Sequence, residues 1–121
     1  MTKKERPILS DPVNAGTSKT ERFQNEVIRP IIKMQHNLLV VLFQDYTKQR
    51  KIDFVNLDKE KQIEKLNSIL IKDTNFKNIL LGTILGQFCI DELTFFIKNS
   101  SELKRRIIQI IKQRLEESLI L

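Results

Sequence analysis

Apolar residues recur at every third or fourth position from about Ser18 to the end of the chain, the period of helices that bury one face. Ser18 followed three residues later by Glu21 reads as a capping box, so a helix begins there, with Phe23, Val27 and Ile28 on its apolar side. Pro30 interrupts that pattern. It predicts a kink at Arg29–Pro30 or a new helix with Pro30 in its first turn. Ile31, Met34, Leu38, Leu42 and Phe43 then set the strongest period, and Ile32, Leu39, Val41 and Tyr46 widen it to about half the circumference. A helix over 31–50 with neighbours on more than one side is the expectation. A loop through 51–57 leads to Asp58, an N-cap for a helix over 59–72, and the narrow stripe Ile63, Leu66, Leu70 assigns that helix to the surface.

Asp73 or Thr74 caps the next helix, from 75 to about 88. Phe76, Leu80, Ile84 and Phe88 line one side, and Gly82 and Gly86 share another. Both sides are uncharged, which predicts a buried helix whose glycines admit a close helix crossing, so that leucine at either would overpack. Asp91 caps a short helix over 92–98, and Ser100 or Ser101 caps the last, to about 118, with Leu103, Ile107, Ile110, Ile111 and Leu115 facing inward. No segment alternates as a strand between turns. The pattern predicts an all-α fold: a compact bundle of five or six helices, with a central helix about 31–50 and a buried glycine-containing helix about 75–88. Residues 1–17, with Pro7, Pro12, Gly16 and no period, read as a flexible arm, and 18–121 as a single helical domain.

Composition narrows the chemistry. The 121 residues suffice for one core without disulfides or a structural metal. They include one histidine, one cysteine and no tryptophan, whereas catalysis and metal binding draw mainly on His, Cys and clustered carboxylates. The chain therefore offers no catalytic, metal or cofactor-binding residues, and no cofactor is expected. His36 has no second His or Cys near it in sequence and reads as a partly exposed surface residue; Cys89, after an apolar run, reads as a buried, inert thiol. A lone cysteine also implies a reducing compartment. No apolar segment follows the charges at Lys3, Lys4 and Arg6, and the longest uncharged stretch, Asn78–Ile90, has 13 residues. That is short of the roughly 18–20 a membrane-spanning helix needs. A cytoplasmic protein without a membrane partner is the expectation.

The net charge of +6 is spread out: residues 1–20, 21–50 and 100–121 each carry +2, and the rest balance. Dedicated nucleic-acid binders concentrate their charge on one face or tail. The cluster Lys104-Arg105-Arg106 with Lys112 and Arg114 divides around its helix among Gln109 and Glu116, so it reads as a mixed-charge surface without stacking aromatics. The helices over 92–98 and 101–118 sit as close as those of a helix-turn-helix, but the second has no recognition face rich in Arg, Asn and Gln.

Three local patterns stand together: Arg29-Pro-Ile-Ile-Lys-Met-Gln35, Gly82-Thr-Ile-Leu-Gly-Gln-Phe88 and Lys98-Asn-Ser-Ser-Glu-Leu-Lys-Arg-Arg106. Over about Phe23 to Leu115 the chain resembles a family of small, uncharacterised, all-helical bacterial proteins often labelled "glyoxalase". The resemblance implies a helical fold. The metal-dependent glyoxalases place His and Glu ligands on the strands of paired βαβββ modules; no motif position here matches, so no ligand carries over.

Two groups of residues remain as candidate sites. Gln35 and Gln49 fall in the apolar arc of the helix over 31–50 and Asp45 within it, while Lys104 and Arg114 intrude on that of the last helix. Buried polar groups need partners, so a network of Asp45 with Arg114 or Lys104 is expected, or a polar pocket of Gln35, Gln87 and Arg114 able to hold an anion. Second, Ile108 and Leu119 extend the apolar arc of the last helix towards Arg105 and Lys112, next to the apolar end Leu119-Ile120-Leu121. Arg105, Ile108, Lys112 and Leu119 form the expected partner surface. The function expected is that of a non-catalytic protein–protein interaction module, its partner another protein or a second copy. The alternatives are RNA or ribonucleoprotein binding through dispersed Lys and Arg, and a small-ligand binder or enzyme carrying the glyoxalase label.

Overall fold

Ser18 opens the helical region in the computed structural model, which describes residues 18–120: its Oγ accepts the Glu21 N–H at 3.1 Å. The arm expected over 1–17 lies outside the described residues. Helix α1 (Lys19–Phe23) passes through a π-helical segment, Gln24–Ile28, into α2 (Arg29–Met34). Pro30 explains the π turn. In a regular α-helix its ring would strike the carbonyl four residues back. Here the Arg29 N–H instead reaches the Gln24 carbonyl, five residues away, and Pro30 sits in the first turn of α2. Of the sequence expectations for Pro30, the first-turn position is met, although the helical run continues without a break.

Gln35, with φ −93° and ψ 10°, separates α2 from α3 (His36–Gln49), so the helix expected over 31–50 is two helices. The amide of Gln35 is buried and donates to the Thr83 carbonyl at 3.1 Å. Helix α3 closes without glycine. Lys51 takes the left-handed conformation, φ 56°, and the Lys51 and Ile52 N–H groups return to Lys48 and Thr47, a Schellman cap. The loop that follows folds back on the core through Phe54, and Gln62 fixes it by donating to the Phe54 carbonyl at 2.9 Å.

Asp58 caps α4 (Lys59–Lys72) by accepting the Lys61 N–H, and Asp73 caps α5 (Thr74–Leu85) by accepting the Phe76 N–H, both as read from sequence. Helix α6 (Ile90–Lys98) starts earlier than its expected cap, Asp91: Glu92 reaches back to the Cys89 N–H at 2.8 Å, which makes Cys89 the cap residue. Asn99 precedes α7 (Ser100–Leu119). Among the described residues there is no strand; the fold is an all-α bundle.

Its hub is α7. That helix packs on α2, α3, α4, α5, α6 and the π segment, and Leu103, Ile107, Ile111 and Leu115 are fully buried along it. Helix α3 stands to one side, because the bend at Gln35 turns Leu39, Phe43 and Tyr46 inward and leaves Leu38 and Val41 exposed. Gln49 and Asp45 also face solvent and bond each other at 3.4 Å, so neither belongs to the apolar arc, and Asp45 forms no network with Arg114 or Lys104.

The close crossing expected at the glycines is absent. Both glycines are exposed; a Cβ at Gly82 would have no neighbour within 4 Å, and one at Gly86 would meet only the Gly82 carbonyl. The side that Gly82 and Gly86 share is uncharged because it is small, not because it is covered. Gly82→Ala should therefore stabilise the chain by up to about 1 kcal/mol through helix propensity, read as a raised melting temperature.

Candidate functional site

Helices α4, α5 and α7 leave a groove of about 520 Å³ between them. Its floor is apolar: Leu70 from α4, Leu81 from α5 and Ile108 from α7. Ile71, 72% exposed, stands at its edge. Lys77, Lys104 and Arg105 line it, and no carboxylate does. This spacing follows from α7 itself: Ser101, Lys104, Arg105 and Ile108 recur three and four residues apart, so they share the side adjoining the buried stripe.

The neighbouring charges are otherwise engaged. Arg106 turns from the groove to Glu102, at 2.8 Å, and to Gln24 Oε1, at 2.9 Å. Its hydrogen bond, ahead of its charge, holds the Glu102 carboxyl below the usual range, against a smaller opposing effect of burial. The triple Lys104-Arg105-Arg106 thus splits, with two cations for the groove and one latching α7 to the N-terminal helix.

Of the expected partner surface, Arg105 and Ile108 meet in this groove; Lys112 and Leu119 are partly buried further along α7 and do not line it. Leu119 leans on the core, and Ile120, expected at an exposed end, is buried. Each residue of the expected polar trio has its own setting. Gln35 is tied to Thr83, and Arg114 meets His36 Nδ1 at 3.4 Å. The Gln87 Oε1 is buried without a hydrogen-bond partner among the described residues. None of the three lines this groove or the cleft around Arg50.

His36 does have a hydroxyl nearby, with Ser118 Oγ 3.5 Å from Nε2. The pair lacks the logic of a nucleophile and its base. Such a base carries a carboxylate on Nδ1, whereas here Arg114, which can only donate, occupies Nδ1. With Arg114 beside it, Nδ1 has no carboxylate to orient the ring towards the hydroxyl. Cys89 is exposed, contrary to the buried thiol expected, because it caps α6 from outside. Among the described residues no three His, Cys, Asp or Glu side chains gather as a metal site, and no described helix is long and apolar enough to cross a membrane.

The Arg50 cleft, about 540 Å³, opens where the end of α3 meets the junction of α4 and α5. Its chemistry is internally matched. Arg50 lies 3.7 Å above the Tyr46 ring and 3.6 Å from Asp73, and the Tyr46 hydroxyl donates to Asp73 at 2.7 Å. The Phe76 N–H, then Tyr46 and Arg50, hold the Asp73 carboxyl below its ordinary range, while burial, ahead of Asp73 itself, raises the Tyr46 hydroxyl. A carboxylate with a depressed folded-state pKa stabilises the fold above its unfolded value, near pH 4, and that contribution is lost as pH falls through the folded value. Thermal melts from pH 6 down to pH 2 should therefore fall less steeply for Asp73→Asn than for the parent, since asparagine keeps the helix cap and loses the titration.

No family of proteins, no curated protein and no solved structure matches the chain.

Proposed function

We propose that the chain is a non-catalytic, cytoplasmic protein-interaction module that receives its partner in the groove between α4, α5 and α7. The observation that carries this reading is the pairing of an apolar floor with three cations and no carboxylate. An interface anchors on such a desolvated floor and takes orientation from its charged rim. A small-molecule site usually encloses most of its ligand, and this groove is flanked by an isoleucine left largely in solvent. Single-stranded nucleic acid uses stacking aromatics, and no aromatic residue lines the groove. The arrangement at His36 and the engagement of Cys89 in the helix cap of α6 support the non-catalytic part.

A photo-cross-linking amino acid placed at Lys104 in cells tests the reading, with one at exposed Lys59 as the control. Protein adducts at Lys104 that are absent at Lys59 and lost on Arg105→Glu are the expected result. Adducts to RNA alone, or equal labelling at both positions, would overturn it.

A further inference from the structure

Helix α6 carries the counterpart of the groove. Ile90 and Ile97 are 77% and 64% exposed, and with Thr94 they stand at i, i+4 and i+7, one continuous outer face. Asp91, also exposed, flanks that face at its N-terminal end. The opposite side of the helix is fixed in the core by Phe96 and by Phe95, whose ring lies 4.8 Å from that of Phe23. The outer face therefore cannot turn into the groove of its own chain.

We infer that the groove between α4, α5 and α7 receives the outer face of α6 from a second copy of this chain. The inference rests on the groove being a protein-binding site and names its occupant. Lengths agree: Ile90 to Ile97 spans about 10 Å at 1.5 Å per residue, and the groove residues of α7, from Ser101 to Gln109, span about 12 Å. Charges agree as well. Asp91 would meet a groove holding Lys77, Lys104 and Arg105 without a competing carboxylate, and Lys98, the cation of α6, stands seven residues away at the other end of the helix. The N-terminal segment of the chain is a poorer occupant by charge, since Lys3, Lys4 and Arg6 outnumber Glu5 and Asp11. The contact also accounts for two isolated apolar features at once, an open groove with Ile71 at its rim and a helix face with two isoleucines in water. Reciprocal insertion closes a two-fold dimer, and one-way insertion builds longer assemblies.

Sedimentation equilibrium over a range of concentrations provides the test. The wild-type chain should gain mass with concentration. Ile97→Asp and Arg105→Glu, both at exposed positions, should each weaken association by about tenfold or more, with circular dichroism melts like the parent's. The decisive sample is their mixture. Ile97→Asp keeps an intact groove and Arg105→Glu an intact α6 face, so the two should form a one-to-one heterodimer at concentrations where each alone is monomeric. A mixture that stays monomeric, or a wild-type chain monomeric at the highest concentration, overturns the inference. In that event, protein adducts at Lys104 in cells would leave the groove standing as a site for a different protein. Their absence as well would remove the groove reading itself.

Discussion

Ile107→Ala should lower the stability of the chain by about 2–5 kcal/mol, the range for truncating a fully buried aliphatic side chain. Ile107 lies midway along α7, the helix that packs on almost every other element, with fully buried Leu103 and Ile111 one turn to either side. A cavity there borders several helices that cannot all shift to fill it, because each is also tied elsewhere: α5 to Gln35, α3 to Phe54 through Phe43, the N-terminal helix to Phe88 through Phe23. At about 4 °C per kcal/mol for a domain of this size, the melting temperature should drop by on the order of 10–20 °C. Gln109→Ala, two residues along on the exposed side, should stay within about 0.5 kcal/mol of the parent. A thermal melt of Ile107→Ala within a few degrees of the parent's would show that α7 is not the hub.

The inward face of α7 was legible because its apolar spacing is unbroken from Leu103 to Leu115 and all five residues read from it are buried. The caps at Ser18, Asp58 and Asp73 were legible for an equally local reason, since a short polar side chain three residues before an amide is the whole mechanism. Other features leave no mark in residue type or spacing. The Schellman cap after α3 uses Lys51 where glycine usually signals the turn, so only the backbone reveals it. Gly82 and Gly86 share a side in sequence, but whether a second helix lies across that side is decided by where α7 and α3 run, and none does. Of the groove, Arg105 and Ile108 could be read from α7 alone; Leu70, Ile71, Lys77 and Leu81 come from two other helices whose relative placement no periodicity encodes. The outer face of α6 was missed for a simpler reason. In a segment as apolar as Ile90–Lys98, periodicity does not say which isoleucines the core leaves out, and it leaves out Ile90 and Ile97.

Phe43→Ala should cost about 3–5 kcal/mol, as large as the change in α7, and should also loosen the chain over residues 52–57. Phe43 is almost wholly buried on α3, and its ring meets that of Phe54 edge to face, with centroids 5.1 Å apart. That contact holds the only long connection among the described helices. Few other anchors assist it: the Gln62 amide on the Phe54 carbonyl, and the partly buried Ile52 and Leu57. Val55, at the tip, is 85% exposed and contributes nothing to it. Losing the Phe43 ring removes both the buried area and the edge-to-face partner, which by itself is worth about 0.5–1.5 kcal/mol. Phe54 then has no fixed seat, and the Gln62 hydrogen bond loses the rigid carbonyl it depends on. Phe43→Leu, which refills most of the volume, should recover the larger part of the stability but not the protection of the loop. Amide hydrogen exchange separates these outcomes. The expected result is faster exchange at Phe54 and Leu57 in both variants, against a melting temperature strongly lowered only in Phe43→Ala. Unchanged exchange in Phe43→Leu would mean that the loop is held by Gln62 and its aliphatic anchors alone, and that the ring pair adds nothing beyond its volume.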